Sequence, residues 1–282
     1  MKIQPSIKLL RPKHWIKNIL IFFPMFLALD PSRITNAGIA FICWSFMASA
    51  GYIFNDIMDI ENDRNHPIKK NRPIASGDVS IKIAIVMAVL LMIISMVGAW
   101  YISLSGFIVL MTYTIVNWLY TIHLKKLRYL DIMILCLFYL LRLIMGGVVT
   151  EVELTPWFMI TSTFVFLALS THKRKMECDV IKEGKLSGRK YTVSDSQFLN
   201  IASIVLAFIA VVFLNLHSIL VLNLVAYWEI IPTNLLSVYI VFQFFDGAEN
   251  KVDDPVEKLL KSKEILIAII IYITLYSIFL SR

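Results

Sequence analysis

Residues 55–73 read NDIMDIENDRNHPIKKNRP and directly continue a long apolar stretch. Four acidic residues occupy the first nine of these positions, and a basic run follows them. A carboxylate close to hydrocarbon costs up to about 3 kcal/mol on membrane-insertion scales, so acids in such places mark functional sites by default. This segment therefore indicates where in the chain chemistry is expected.

The composition indicates a membrane protein. Of the 282 residues, 58% are hydrophobic and 17% are charged, and the mean hydropathy is +0.74. A soluble domain has about a quarter of charged residues, and a membrane-crossing helix needs about 20 apolar residues. The apolar stretches predict an all-α, polytopic protein, with the helix ends between residues 198 and 245 left open. Nine spans are predicted, at Ile16–Leu29, Asn36–Ile57, Ile81–Gly98, Gly106–Thr121, Asp131–Val149, Trp157–Thr171, Phe198–Leu216, Ile230–Phe245 and Ile265–Leu280.

The distribution of basic residues predicts the orientation. With the N-terminus inside and nine crossings, all but three of the 27 Lys and Arg residues lie on the inner side, the exceptions being Arg33, Arg142 and Arg282. An excess of Lys and Arg marks the cytoplasmic side of a membrane protein. We therefore expect an inner (plasma) membrane protein whose N-terminus and active site face the cytoplasm.

The remaining composition excludes some other classes. The net charge of +7 follows the membrane topology, so no nucleic-acid partner is predicted. The N-terminal apolar stretch lacks a clear small-residue cleavage site and is predicted to be a retained span. The cysteines Cys43, Cys136 and Cys178 lack metal-like spacing and are predicted to be packing residues.

The acids of the opening stretch share one helical face. At about 100° per residue, Asn55, Asp56, Asp59 and Asp63 fall within about one quadrant, whereas Glu61 points away. Carboxylates this close repel one another, and a hard divalent cation such as Mg²⁺ would offset that repulsion. The bases that follow, Lys70 and Arg72 among them, suit phosphate groups. A solvated loop with scattered acids, and bases that serve only topology, are the alternatives.

This segment, with its downstream Arg-Pro, resembles the NDxxDxxxD signature of the UbiA superfamily of intramembrane prenyltransferases. The resemblance implies one UbiA-like transmembrane domain over residues 1–282. It also implies nine transmembrane helices around a central cavity that opens to the cytoplasm.

A second motif departs from the family pattern. Members of the superfamily carry a second acidic motif, DxxxD, for a second Mg²⁺, but in STHKRKMECDV (170–180) Lys173 and Glu177 occupy those positions. A second metal is thereby in doubt. This segment, LRPKHWIKNILIFFP (10–24), YTIHLKKLRYLDIMILCLFYLLRLIMGG (120–147) and DDPVEKLLKSK (253–263) are similar to the decaprenyl-phosphate phosphoribosyltransferase branch. That branch transfers 5-phosphoribosyl from phosphoribosyl diphosphate to a polyprenyl phosphate. It releases diphosphate and forms 5-phosphoribosyl-1-phosphoryl-polyprenol, a lipid-linked pentose precursor for the cell envelope.

The resemblance implies substitution at the anomeric carbon of the ribose. Asn55, Asp59 and Asp63 would hold Mg²⁺, with Asp56 a ligand directly or through water. Lys173 and Arg174 would hold phosphate groups, and Glu177 would orient a base or contact the ribose. Arg142 is either a phosphate clamp, which we favour, or the buried partner of Asp131. The predicted catalytic residues are Asp56, Asp59, Asp63, Lys173 and Glu177, and the predicted substrate-binding residues are Lys17, Asn18, Arg64, Lys70, Arg72, Tyr120, Lys125, Arg142, Arg174 and Tyr191.

Two other functions compete with this hypothesis. One is transfer of a prenyl chain from a prenyl diphosphate to an aromatic acceptor, which the missing DxxxD disfavours. The other is transport, which predicts broken helices at the membrane midplane and internal repeats rather than acids at a cytoplasmic helix end.

Overall fold

Every regular element in the described part of the chain is helical. The computed structural model describes residues 5–28, 30–65, 69–179, 190–220, 227–246 and 262–280. Its α-helices are α1 Pro5–Leu10, α2 Phe23–Leu27, α3 Ile34–Met58, α4 Ile60–Arg64, α5 Ile81–Ile102, α6 Leu104–Ile122, α7 Leu130–Thr150, α8 Pro156–Asp179, α9 Asp195–Leu220, α10 Tyr227–Asp246 and α11 Lys263–Leu280. Short 3₁₀ segments lie at Pro12–Phe22, Pro31–Arg33, Lys69–Asn71 and Leu124–Lys126.

Several of these helices can cross a membrane. Within the described residues, five are long and apolar enough, at Pro31–Met58, Ile81–Ile102, Leu104–Ile122, Leu130–Thr150 and Asp195–His217. The all-helical fold is confirmed, and the count of nine spans stays a prediction. Helix α8 continues eight residues beyond the predicted span Trp157–Thr171, so that the second motif lies on a helix.

The first predicted span, Ile16–Leu29, is not one continuous α-helix. The 3₁₀ segment Pro12–Phe22 covers most of it, and the five-residue helix α2 follows. Pro24 explains the change, because it lies in the first turn of α2, where its missing N–H leaves no hydrogen bond unmade. A new α-helix therefore begins at Phe23.

The chain divides into two compact units. The first comprises Met1–Lys125 and Leu141–Leu154, and the second comprises Lys126–Leu140 and Thr155–Arg282. The single domain expected over residues 1–282 stays a prediction.

Helix α3 is the centre of the first unit. It packs most extensively against α5, and also against α6, α1 and the segment Pro12–Phe22. One close approach depends on glycine: a Cβ at Gly146 of α7 would lie 2.2 Å from the carbonyl oxygen of Ile21. Residues on α3 thus lie between the N-terminal segment and the later helices of this unit.

The N-terminal segment packs and forms hydrogen bonds against one face of α3. Leu9 is buried in a cluster with Ile53. The Ser49 hydroxyl donates to the Leu10 carbonyl oxygen at 2.7 Å, and Trp15 Nε1 donates to the same hydroxyl at 3.0 Å. Ser49 and Ile53 lie four residues apart, on the face that leads toward the acidic stretch.

The second unit is built on α8 and α9, which pack along much of their length. Helix α10 packs against α9 and against α11. A small core beside α8 contains Ile132, Cys178, Tyr191 and Leu199. This core holds the residues around Tyr191 against the C-terminal end of α8.

Candidate active site

The acidic stretch forms an almost continuous helix. Helix α3 ends at Met58 and α4 begins at Ile60, yet the backbone N–H of Asp59 still donates to Asn55 O at 2.9 Å. The N–H of Asp63 likewise donates to Asp59 O at 2.8 Å. Because the four-residue spacing of hydrogen bonds persists through the junction, the residues predicted to share a face do so.

Arg72 joins two of these acids. Its Nη1 donates to Asp56 Oδ1 at 3.0 Å and to Asp63 Oδ2 at 2.6 Å. The residues after it explain its position, because Ile74 and Val79 are buried in the same cluster as Ile53 of α3. Their burial holds the connecting turn against the helix that carries the acids.

Lys125 contacts Asn55 and Asp59, the other two residues of the acidic face. It lies just beyond α6, and its Nζ donates to Asp59 Oδ2 at 2.7 Å and Oδ1 at 3.0 Å. It also donates to Asn55 Oδ1 at 3.3 Å. The structure thus brings Lys125 to two of the predicted metal ligands.

Arg11 is a third cation on the acidic face, a contact that is not predicted by its place among the basic residues of the inner side. Its Nη2 donates to Asp56 Oδ1 at 2.6 Å and to Oδ2 at 2.8 Å. Its backbone is left-handed, with φ 49° and ψ 55°, directly before Pro12. The one sequence signal that favours such a contact is the excess of acid at residues 55–63, which needs cations from elsewhere in the chain.

The acids of these ion pairs differ in their exposure to solvent. Asp56 and Asp63 are each 3% exposed. The Asp59 side chain is 27% exposed and is the most accessible of the three. Carboxylates buried this deeply are strongly disfavoured as ions unless cations or hydrogen-bond donors accompany them. Arg11, Arg72 and Lys125 supply that compensation.

The donor set of the acidic face suits a hard cation, since it consists of carboxylate and amide oxygens. Among the described residues, no three His, Cys, Asp or Glu side chains are grouped tightly enough to hold one ion together. Mg²⁺ in enzymes is commonly held by one or two carboxylates, with substrate phosphates and water completing its shell. The residues therefore fit a metal that arrives with a phosphate ligand.

The other bases near the acidic stretch lie further out. Arg64 pairs with the exposed Glu61 at 3.1 Å and also donates to Ala75 O at 3.4 Å. Lys70 is exposed and Tyr120, on the last turn of α6, is half-buried. Their predicted contacts with substrate stay predictions.

A second polar cluster lies deeper in the first unit. Arg142 Nε donates to Asn18 Oδ1 at 2.9 Å, and Asn18 Nδ2 donates to Ser45 Oγ at 2.9 Å. The Arg142 guanidinium lies 5.5 Å from the ring centroid of Trp44 and 5.7 Å from that of Tyr113. Arg142 is 6% exposed, so it is a buried cation held among aromatic rings and amides. Lys17 comes one residue before Asn18 on the same segment and is half-buried.

The second motif forms a buried network in the second unit. Arg174 Nε donates to Asp131 Oδ2 at 2.5 Å, and its Nη1 donates to Glu177 Oε2 at 2.6 Å. The Tyr191 hydroxyl donates to Asp131 Oδ1 at 2.6 Å and accepts from the Tyr129 N–H at 2.9 Å. Both carboxylate oxygens of Asp131 therefore accept hydrogen bonds from Arg174 or Tyr191. The alternative in which Asp131 is the buried partner of Arg142 stays a prediction.

The side chains of this network differ in access. Arg174 and Asp131 are 0% exposed, whereas Lys173 and Glu177 are half-buried. Burial, together with donation to Asp131, raises the pKa of Tyr191 well above its ordinary value. Tyr191 therefore remains a hydrogen-bond donor at every physiological pH. The predicted phosphate contact of Arg174 would compete with its two carboxylate partners.

Comparison with known proteins identifies relatives. A family model described as the UbiA prenyltransferase family matches residues 19–260. A decaprenyl-phosphate phosphoribosyltransferase of Mycobacterium tuberculosis is 33% identical over 191 residues, which are 65% of this chain and 63% of that protein. The protein of the same name from Mycolicibacterium smegmatis is 34% identical over 204 residues, 68% of this chain and 64% of that protein. The matches thus span somewhat less than two thirds of the length of these relatives.

A solved structure shares the fold. A UbiA homologue from Archaeoglobus fulgidus, bound to GPP and Mg²⁺, superposes with a TM-score of 0.71 at 16% identity. The match covers 99% of this chain and 100% of that one. At this identity the similarity concerns the fold.

Proposed function

Since the chain belongs to the UbiA prenyltransferase family and is a multi-pass membrane protein, we propose that it transfers 5-phosphoribosyl from phosphoribosyl diphosphate to a polyprenyl phosphate. The product is 5-phosphoribosyl-1-phosphoryl-polyprenol, and diphosphate is released. The names of relatives at 33% and 34% identity support this reaction. The product would serve as a lipid-linked pentose precursor for cell-envelope synthesis.

The observation that carries the proposal is the replacement of an acid by Lys173 in the second motif. Helix α8 extends through this residue, so Lys173 and Glu177 lie one turn apart on the same face. A prenyl diphosphate bears one diphosphate, whereas phosphoribosyl diphosphate also bears a 5-phosphate and its acceptor brings another phosphate. A lysine at this position supplies positive charge for that larger negative load.

We propose that the acidic face of α3 and α4 holds Mg²⁺ through Asn55, Asp59 and Asp63, with Asp56 a ligand directly or through water. When bound, the ion would offset negative charge on the departing diphosphate. The described residues favour Asp59 as a ligand, because its carboxylate is the most accessible and its partner is a lysine. A lysine side chain is flexible and can move to a phosphate oxygen as a metal arrives.

The chemistry is a substitution at the ribose anomeric carbon. The bond from this carbon to the diphosphate oxygen breaks, and an oxygen of the acceptor phosphate forms the new bond. Arg72 and Lys125 would stabilise the charge that develops on the diphosphate, because they are cations in a partly buried site. The acceptor phosphate is already ionised near pH 7, so the reaction requires no strong general base.

The two substrates would reach the site from different surroundings, the lipid from the membrane and the soluble donor from the cytoplasm. The polyprenyl chain is apolar and remains among the helices that can cross the bilayer. The distribution of Lys and Arg favours an inner-membrane protein with a cytoplasmic N-terminus and a site that faces the cytoplasm, where phosphoribosyl diphosphate is soluble. A central cavity ringed by nine transmembrane helices is part of this proposal.

The alternative is prenyl transfer from a prenyl diphosphate to an aromatic acceptor, and the homologue that shares the fold is bound to one such diphosphate, GPP. A substrate competition separates the two. Purified protein is offered phosphoribosyl diphosphate with polyprenyl phosphate, or geranyl diphosphate with 4-hydroxybenzoate, and the products are identified by mass spectrometry. We expect product from the first pair alone. Product from the second pair alone would replace the proposed function with aromatic prenylation, and uptake into vesicles without any product would favour a transporter.

A further inference from the structure

Asn117 is a polar residue in an apolar helix. It lies in α6, one of the helices long and apolar enough to cross a membrane, and its side chain is half-buried. Within the described residues, no group forms a hydrogen bond with its amide. Asn215 of α9 differs, because its Nδ2 donates to Val211 O of its own helix at 2.8 Å. Polar side chains inside membrane helices are costly and mark functional sites by default. The Asn117 amide is therefore open to a partner from outside the chain.

Helix α6 runs beside α3 toward the acidic face. The ring centroid of Trp118 on α6 lies 5.7 Å from that of Phe54 on α3. Further along the same direction, Lys125 follows α6 and donates to Asn55 Oδ1 at 3.3 Å. The residue before Trp118 therefore lies next to the part of α3 that directly precedes the acidic face.

Gly51 makes room for the Asn117 amide against α3. A Cβ at Gly51 would lie 2.2 Å from Asn117 Nδ2, so only glycine permits this approach. Gly51 precedes Asn55 by four residues, which places both on one face of α3 and about 6 Å apart along the helix. The amide thus lies about one helical turn from the first residue of the acidic face.

The two helices are uncharged around this amide. No Asp, Glu, Lys or Arg occurs along α6 or in residues 34–54 of α3. A phosphate group would find its cations at the acidic face, where arginine and lysine side chains contact the acids. An amide both donates and accepts hydrogen bonds, as a hydroxyl group does. The chemistry at Asn117 therefore suits a neutral hydroxyl.

We infer that the Asn117 amide hydrogen-bonds a ring hydroxyl of the donor ribose and so selects a phosphoribosyl donor over a prenyl donor. This inference rests on the proposed function. With the diphosphate at the acidic face, a pentose attached to it would reach the amide one turn away. A prenyl diphosphate has no hydroxyl there and would leave the amide without a partner, which disfavours that substrate.

The test combines variants of Asn117 with donors that lack one hydroxyl. Full-length protein in detergent is given polyprenyl phosphate and either phosphoribosyl diphosphate or its 2-deoxy or 3-deoxy analogue, and kcat/KM is measured for each donor. The variants are Asn117→Leu, which nearly keeps the shape of the side chain, and Asn117→Ala. The control is Thr112→Val, which removes a hydroxyl that donates to Ile108 O of the same helix.

The comparison isolates the contact, because the effect of a missing hydroxyl on the donor's own reactivity is the same in every variant. We expect one analogue to lose about ten- to a hundredfold more kcat/KM in wild type and Thr112→Val than in Asn117→Leu. The melting temperature of Asn117→Leu should equal or exceed that of wild type, because the amide has no partner among the described residues.

The ratio between donors decides the outcome. If each analogue loses the same factor in wild type and in Asn117→Leu, Asn117 does not contact the ribose and the inference is overturned. If Asn117→Leu does not fold, the same ratio in Asn117→Ala decides. Absence of product from phosphoribosyl diphosphate in the wild type would overturn the proposed function and this inference together, so the two failures are distinct.

Discussion

Arg72 donates from a single nitrogen, Nη1, to both Asp56 and Asp63, at 3.0 and 2.6 Å. The two acids lie seven residues apart, which is about 10 Å along a helix. They can meet at one atom because they lie on the same face and the turn that carries Arg72 folds back on that face. The acidic face is therefore already arranged around positive charge, as a site for a metal and a phosphate requires.

Loss of Arg72 should weaken donor binding. We expect Arg72→Ala to reduce the affinity for phosphoribosyl diphosphate about ten- to a hundredfold and to leave that for polyprenyl phosphate nearly unchanged, because its charge lies beside the acids. Lys70→Ala should have a smaller effect, since Lys70 is exposed. Calorimetric titration of each ligand checks this, with Lys82→Ala, another exposed lysine, as the control. Unchanged donor affinity in both variants would reduce Arg72 and Lys70 to topology signals.

Removal of metal should abolish turnover. We expect EDTA to stop product formation and added Mg²⁺ to restore it, because the diphosphate leaves with charge that the metal offsets. Asp59→Ala and Asp63→Ala should be nearly inactive. Glu61→Ala is the matched control, since Glu61 lies in the same stretch, is 78% exposed and pairs with Arg64. Full activity in chelator would contradict the metal assignment.

Reversal of the charge at Lys173 should impair phosphoribosyl transfer. Lys173→Asp replaces attraction for phosphate with repulsion, so we expect a large fall in kcat/KM for phosphoribosyl diphosphate. Adding Glu177→Asp to this change restores DxxxD, and the double variant should not become a prenyltransferase, because the acceptor site is unchanged. Assays with both donor classes check this, and Lys175→Ala, which breaks a pair with Asp179 on the same helix, is the control. Wild-type transfer by Lys173→Asp would show that Lys173 does not contact phosphate.

Arg174 should matter for stability. Both Arg174 and Asp131 are 0% exposed, so Arg174→Met leaves a buried carboxylate without its cation and should destabilise the fold by about 3–5 kcal/mol. Arg128→Met, which breaks a more exposed pair with Asp195, should lower the stability by about 1 kcal/mol or less. Chemical unfolding in detergent measures both. Equal stability of the two variants would show that the Asp131 pair is dispensable.

The sequence predicts the helices of this protein wherever a long apolar stretch is enough to define one. The prediction Asn36–Ile57 lies within α3, Ile34–Met58, and Asp131–Val149 lies within α7, Leu130–Thr150. The first span, Ile16–Leu29, contains Pro24, and the sequence does not define its ends, because the effect of a proline depends on where the helix around it begins. Apolar content alone does not distinguish a 3₁₀ segment from an α-helix.

The sequence also predicts the acidic face, because helical periodicity determines which residues share one face of a helix. The ion pairs across it are not predicted, since Arg11 reaches Asp56 from 45 positions away through a left-handed turn. Asp131 and Arg174 lie 43 positions apart, and nothing in either segment alone reveals that they are buried together. Local patterns predict faces, whereas long-range partners depend on packing.

The most direct measurement of the central claim follows the two halves of the donor. Purified protein is incubated with Mg²⁺, polyprenyl phosphate and phosphoribosyl diphosphate labelled either in the ribose or in the β-phosphate, and lipid and aqueous phases are separated. We predict that the ribose label enters the lipid phase, while the β-phosphate label stays in the aqueous phase as diphosphate. Transfer of the ribose label to the lipid phase and release of labelled diphosphate should both require the acceptor lipid and should both be lost in Asp59→Ala. Absence of ribose label from the lipid phase, or entry of the β-phosphate label with it, would contradict phosphoribosyl transfer.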